Sequence, residues 1–165
     1  MKKLMFLVCI AISSVLFMNN TTTESSIRQM KCTKESVYMA LKELDVQHAD
    51  VVYAQIILES ANLKSKLFKT NNNLIGMKHP KRRLTTSLGS KHGYAHYEDW
   101  YSCLEDYVLY QGSVLRDKTL SKAQYLAFLK KNYAKDPKYK QKLLTTIKKE
   151  HQIIKKADSL YIAKL

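Results

Sequence analysis

The chain contains 165 residues, enough for one domain with a short extension. Four glycines and two prolines fall far below the roughly 12% of average proteins, which excludes collagen-like, linker-rich and turn-dense all-β architectures. Hydrophobic residues at 45% and charged residues at 25% exclude a disordered chain and a polytopic membrane protein. The 28 Lys and Arg against 14 Asp and Glu give a net charge of +14, which favours nucleic acid, anionic lipid or bacterial envelope polymers as partners.

The amino terminus has the plan of an export signal, since Lys2 and Lys3 precede an uncharged run over residues 4–18. That run is shorter than the about 20 residues that a membrane span needs. No clear small-x-small cleavage site follows, so residues 1–20 are predicted to be a signal peptide or a membrane anchor. Residues 21–32 are predicted as a tether and residues 33–165 as the folded domain. We therefore expect export to the periplasm or the extracellular space.

Two cysteines, Cys32 and Cys103, lie beyond the expected signal. An oxidising compartment permits a disulfide between them, and the sequence leaves pairing open. Cys103 as a nucleophile is disfavoured because it lies within a predicted helix beside Leu104, where buried thiols are inert.

Helical periodicity and capping residues predict a mainly helical α+β domain with a small hairpin. The predicted elements in chain order are a helix at 34–44 capped by Thr33, a helix from Val51 capped by Asp50, a short segment at 65–71, strands at 83–88 and 94–97 around a five-residue loop, a helix at 100–110 capped by Asp99, a helix to about residue 133 capped by Ser121, and one last helix from Asp136 and Pro137 through Ile154. The helix from Val51 is apolar almost all round and is expected to be the buried one.

Glu59 stands out among the 14 carboxylates, because it is the only charged side chain between Asp50 and Lys64 and ends an apolar run. Desolvation and the negative end of the helix would both raise its pKa. A carboxylic acid that is protonated near neutral pH is what glycoside cleavage requires of a general acid. The pattern alone also fits a Glu at an exposed helix end with no catalytic role.

Four sequence blocks resemble a known enzyme family. Residues 53–60 (YAQIILES), 65–67 (SKL) and 72–78 (NNLIGMK), followed by 132–139 (NYAKDPKY), are similar to bacterial glucosaminidases of glycoside hydrolase family 73. The resemblance implies a lysozyme-like fold and cleavage of peptidoglycan after N-acetylglucosamine. It places Glu59 at the position of the general acid and Tyr133 at that of a tyrosine beside it in the cleft.

Candidate substrate-binding residues are Gln55, Asn72, Asn73, Tyr94 and Tyr97. Tyrosine rings can stack on sugars, and asparagines can bind acetamido groups, although turn formation explains Asn72 and Asn73 equally well. Tyr94 and Tyr97 fall on opposite faces of a strand, so at most one of them faces a cleft.

The second catalytic group is left open, because the predicted hairpin has no Asp or Glu. Glu98 acting as a base, water without a dedicated carboxylate, and attack by the substrate's own acetamido oxygen are the alternatives. Asp99 is explained by helix capping.

No cofactor or metal is expected, since neither His-x-x-His nor Cys-x-x-Cys spacing occurs. The expected partners of this monomer are glycan strands of peptidoglycan and anionic envelope polymers, with no nucleic acid. A lytic transglycosylase of related fold and a non-catalytic basic envelope-binding module are the competing functions.

Overall fold

The computed structural model describes residues 26–116, 118–132 and 136–164. Within these ranges the main elements, in chain order, are α1 (Lys34–Glu43), α2 (Ala49–Glu59), α3 (Lys66–Asn71), β1 (Gly89–Lys91), β2 (Tyr94–His96), α4 (Trp100–Leu115), α5 (Lys122–Asn132), α6 (Tyr139–Lys149) and α7 (His151–Ile162). The predicted α+β class, mainly helical with one hairpin, is confirmed. Among the described residues, no helix combines the length and hydrophobicity needed to cross a bilayer.

Helix α2 is the centre of the domain, as its sequence predicts. Every side chain from Val51 to Ile57 is buried, and the helix packs mainly against α6 and α1. A helix surrounded on all sides is apolar on all sides, which is the pattern seen in the sequence. Because α2 is packed on all sides, the position of its last residue, Glu59, at the edge of the core is fixed.

Local capping signals place three helices as expected. Thr33 caps α1 with a reciprocal capping box to Ser36, Ser65 caps α3, and Asp99 caps α4 by accepting from the backbone N–H of Ser102. Helix α4 extends to Leu115, five residues beyond its predicted end.

The predicted cap of α2 is wrong. The helix begins at Ala49, and its N-cap is His48 in a left-handed conformation without a side-chain cap. Asp50 lies in the first turn and forms an ion pair with Lys122 of α5. Its carboxylate therefore ties two helices together instead of capping its own.

The second strand of the hairpin lies where it was predicted, but the predicted strand at 83–88 is wrong, because the first strand is Gly89–Lys91. Gly89 pairs with His96 and Lys91 with Tyr94, so the predicted five-residue loop contains the whole of β1. The turn is the two-residue sequence His92-Gly93, with φ of 55° and 78°. Positive φ at both positions is what a type I′ turn requires, and such turns match the twist of an antiparallel pair.

The sequence predicts one last helix, but the structure has two, α6 and α7, because the chain turns at Glu150 between them. The Glu150 side chain is only 4% exposed. Both its carboxylate oxygens accept from Lys34 Nζ at 2.8 Å, and Tyr53 donates to it at 3.3 Å. This buried ion pair attaches the α6–α7 junction to α1 and α2.

The segment predicted as a tether is partly packed on the domain. Ile27 is fully buried, and the Arg28 guanidinium binds Asp99 at 2.9 Å and Glu105 at 3.2 Å. Residues 1–20 and 21–25, including the predicted signal or anchor, lie outside the described residues.

Candidate active site

An open cleft of about 680 Å³ lies beside the carboxyl end of α2. Its charged lining residues are Glu59, Lys78 and Arg83, and its aromatic ones are Tyr94, Tyr107 and Tyr110. The described lining also includes Ile75, Gly76, Met77, Pro80 and Asn132. An open space lined by aromatic rings with polar edges suits a saccharide.

Glu59 is the last residue of α2 and reaches solvent through the cleft. Desolvation by the surrounding protein raises the pKa of its carboxyl group. The sequence predicts this direction of the pKa shift, and because the side chain is exposed at the cleft wall its desolvation is partial. A partly desolvated acid that solvent and ligand can reach is chemically able to donate a proton.

Tyr139, the first residue of α6, is the immediate partner of Glu59. Its side chain is 5% exposed, and its hydroxyl donates to Glu59 Oε1 at 3.1 Å. This hydrogen bond favours the ionised carboxylate and lowers the pKa of Glu59, against the larger effect of desolvation. The sequence indicates Tyr139 only as part of a buried stripe and of the block at 132–139. Tyr133, the tyrosine that the resemblance places beside Glu59, lies outside the described residues.

Of the five predicted substrate-binding residues, only Tyr94 lines the cleft. It is 39% exposed on β2. Tyr97 is buried and donates to Asp106 Oδ2 at 2.8 Å, so the two tyrosines do divide between cleft and core. Gln55 is fully buried below the cleft, where its Oε1 accepts from the Tyr107 hydroxyl at 3.1 Å. Gln55 therefore supports the cleft floor and does not line it.

The two asparagines hold the cleft loop in place. Asn72 is the left-handed C-cap of α3 and donates to the carbonyls of Tyr97 and Glu98. Asn73 is 1% exposed, donates to Met77 O at 2.8 Å and accepts from Met77 N at 3.1 Å. Both side chains thus use their amides within the fold, which is the turn role that the sequence left as an alternative.

A buried ion pair supports the cleft from beneath. Arg83 contacts both carboxylate oxygens of Asp106, at 2.6 and 3.0 Å, and Asp106 has no exposed surface. Burial alone would raise the pKa of Asp106, but hydrogen bonds from Arg83, Thr85 and Tyr97 hold it below its ordinary value. The Arg83 guanidinium also lies 5.8 Å from the centre of the Tyr110 ring. Sequence reasoning missed this pair because its members are 23 positions apart.

A second carboxylate is not found among the described lining residues. Glu98 is exposed and outside the cleft lining, and Asp99 caps α4 while paired with Arg28. Asp106 is ionised and neutralised by Arg83. Glu59 is therefore the one acid of the described lining that a ligand can reach.

The two cysteines that the structure describes, Cys32 and Cys103, are free thiols. Cys103 is fully buried and Cys32 is partly buried, and desolvation raises the pKa of each to about 12. At such a pKa hardly any thiolate exists near neutral pH, so neither is an activated nucleophile.

These features describe an enzyme cleft for glycans, with one accessible acid at its wall. The sequence model of the Glucosaminidase family, described as mannosyl-glycoprotein endo-beta-N-acetylglucosaminidase, matches residues 34–152. The chain belongs to this family and is a glycosidase.

Among solved structures, the chain is similar to the catalytic domain of the autolysin Auto from Listeria monocytogenes. The two share 20% sequence identity with a TM-score of 0.47, over 82% of this chain and 96% of the other. A comparison with curated proteins finds no significant match.

Proposed function

We propose that this protein is an exported peptidoglycan hydrolase, an endo-β-N-acetylglucosaminidase that cuts the glycan strand after N-acetylglucosamine with Glu59 as general acid. The single observation that carries the proposal is the place of Glu59, at the end of the buried helix α2 and on the wall of the cleft, with desolvation raising its pKa. Family membership supplies the reaction class. The peptidoglycan substrate is the one that the resemblance in the sequence implies.

In the proposed mechanism, protonated Glu59 gives its proton to the glycosidic oxygen as the bond to the anomeric carbon breaks. Tyr139 holds the carboxyl group in one orientation and accommodates the carboxylate left after proton transfer. The Tyr94 and Tyr110 rings present apolar faces to the sugars, and the buried Tyr107 lies behind them in the cleft wall.

The second step proceeds without a dedicated carboxylate. Glu98, the candidate base of the hairpin end, is outside the cleft lining, and its backbone carbonyl accepts from Asn72. We favour attack on the anomeric carbon by water or by the substrate's 2-acetamido oxygen, which is known among glycosidases.

Export and retention complete the proposal. Residues 1–20 direct export and either are removed or remain as an anchor. The net charge of +14 retains the enzyme on anionic envelope polymers, and the cleft provides selectivity for the glycan.

The test is digestion of purified peptidoglycan by wild type, Glu59→Gln and the matched control Glu98→Gln, with mass spectrometry of the fragments. Reducing N-acetylglucosamine ends should appear with wild type and Glu98→Gln and fall by roughly 10²- to 10⁴-fold with Glu59→Gln. Anhydro-muramic ends would identify a lytic transglycosylase instead. Undiminished activity of Glu59→Gln would reject the assigned acid, and loss with Glu98→Gln would assign the second carboxylate.

A further inference from the structure

Two cations, Lys78 and Arg83, belong to the described lining of the cleft, and they differ in how their charge is balanced. Arg83 is neutralised by the fully buried Asp106. Lys78 is exposed, lines the cleft and forms no ion pair within the described ranges. Among the lining residues that the structure describes, Lys78 therefore supplies the uncompensated positive charge.

The backbone holds Lys78 at this place. The preceding carbonyl, Met77 O, accepts from Asn73 Nδ2 at 2.8 Å and from the Ala95 backbone N–H at 2.9 Å. Gly76, with φ of 72°, turns the chain along the cleft, in a conformation that side chains larger than glycine's rarely adopt. A lysine presented from an anchored segment meets a ligand with less loss of backbone entropy than one on a free loop.

A neutral amino-sugar polymer has no group that needs this cation. A carboxylate on the substrate would form a charge-assisted hydrogen bond with the ammonium group, and such bonds are stronger than neutral ones. Lysine acts here as a point charge on a flexible stem, so it can follow a carboxylate that projects from the sugar chain.

We propose that Lys78 binds a carboxylate carried by the glycan, so that the cleft prefers carboxylated amino-sugar strands to neutral ones. This inference rests on the proposed function and adds a specificity residue to it. In peptidoglycan the carboxylate has two sources. Peptide-free strands expose the lactyl carboxylate of each muramic acid, whereas in strands with stem peptides that group is an amide and the peptide supplies the carboxylates.

The experiment measures binding rather than turnover. Glu59→Gln serves as the parent so that ligands stay intact, and Lys78→Gln or Lys81→Gln is added to it. Lys81 is an exposed lysine three residues away that does not line the cleft, so it is a matched control for the loss of one charge. Calorimetry gives the dissociation constants for neutral β-1,4-N-acetylglucosamine oligomers, peptide-free glycan strands and stem-bearing strands.

We expect Lys78→Gln to weaken binding of a carboxylated ligand by roughly tenfold, equivalent to about 1.4 kcal/mol, and to leave the neutral oligomers unchanged. Lys81→Gln should change neither, and Lys78→Arg should keep most of the affinity. If Lys78→Gln loses affinity for peptide-free strands, the lactyl carboxylate is the partner of Lys78. If it loses affinity only for stem-bearing strands, the partner is a carboxylate of the peptide.

Equal losses with neutral and carboxylated ligands would overturn the inference, and so would equal effects of Lys78→Gln and Lys81→Gln. Neither result bears on Glu59 as the acid, which the digestion experiment decides separately. Conversely, an active Glu59→Gln enzyme would reject the proposed acid, and the effect of Lys78→Gln would then be measured in the wild type as the change in KM for carboxylated against neutral substrates.

Discussion

The Tyr139 hydroxyl donates a hydrogen bond to Glu59 Oε1 at 3.1 Å, across 80 positions of sequence. It couples the start of α6 to the end of α2 and opposes the desolvation that raises the pKa of Glu59. The cleft thus sets the protonation of its acid by two effects of opposite sign.

Tyr139→Phe should raise the pKa of Glu59 further, because it removes the hydrogen bond that stabilises the carboxylate while keeping the buried ring. A general acid works in its protonated form, so kcat/KM falls as pH rises through this pKa. In the variant the alkaline limb of the pH profile should move to higher pH. The measurement is kcat/KM against pH, with Tyr101→Phe as control, since Tyr101 donates to Glu43 at 3.3 Å away from the cleft. An unmoved limb would mean that the bond does not tune the acid.

Asp106→Asn should destabilise the domain by on the order of 3 kcal/mol, because it leaves the Arg83 charge partly buried without its counter-ion. The pKa of Asp106 is lowered on folding, so its contribution to stability is present above the ordinary value of 3.8 and is lost as pH falls through the lower folded value. The difference in the free energy of unfolding between wild type and Asp106→Asn should therefore become smaller below that pH. Urea unfolding at several pH values measures it.

The surface carboxylate Asp136, which pairs with Lys142, provides the matched control. Asp136→Asn should leave the unfolding midpoint nearly unchanged, because exposed ion pairs contribute little. Equal midpoints for the Asp106 and Asp136 variants would contradict the role given to the buried pair.

The sequence predicts those features that depend on near neighbours along the chain. The periodicity of residues 51–58 identifies α2 as the buried helix and places Glu59 at its end, and the caps Thr33, Ser65 and Asp99 follow from side-chain chemistry within one helical turn. Each of these needs no knowledge of the tertiary structure.

Other features depend on contacts between distant segments and have no local signal. Glu150 ends α6 as a buried partner of Lys34, which is 116 positions away. The hairpin register follows from its two-residue turn and from Asn71, which donates to the carbonyls of Lys91 and Ala95. The split of the last helix and the place of the first strand are therefore set by contacts that local periodicity does not show.

The chain directly after Glu59 is strained. Ala61, Asn62 and Leu63 have φ of 50°, 57° and 61°, a left-handed conformation that costs an L-residue roughly 1–2 kcal/mol. Ala61→Gly should therefore stabilise the domain by about 1 kcal/mol, because glycine adopts this conformation without the Cβ clash. Ala127→Gly, at an exposed position within α5, should destabilise it by a similar amount. Thermal unfolding of the two variants should give shifts of opposite sign, and shifts of the same sign would remove the strain argument.

The boundary of the folded domain can be tested at Ile27, which is fully buried although it lies in the predicted tether. Ile27→Ala should destabilise the domain by roughly 2–4 kcal/mol, since it removes a buried side chain and leaves a cavity. Ile162→Ala is the matched control, because Ile162 at the end of α7 is 68% exposed and its loss should be nearly neutral. Chemical unfolding of both variants provides the comparison. If Ile27→Ala unfolds at the wild-type midpoint, the segment is a tether that only rests on the domain; a large shift extends the folding unit to include Ile27 and the Arg28 contacts with α4.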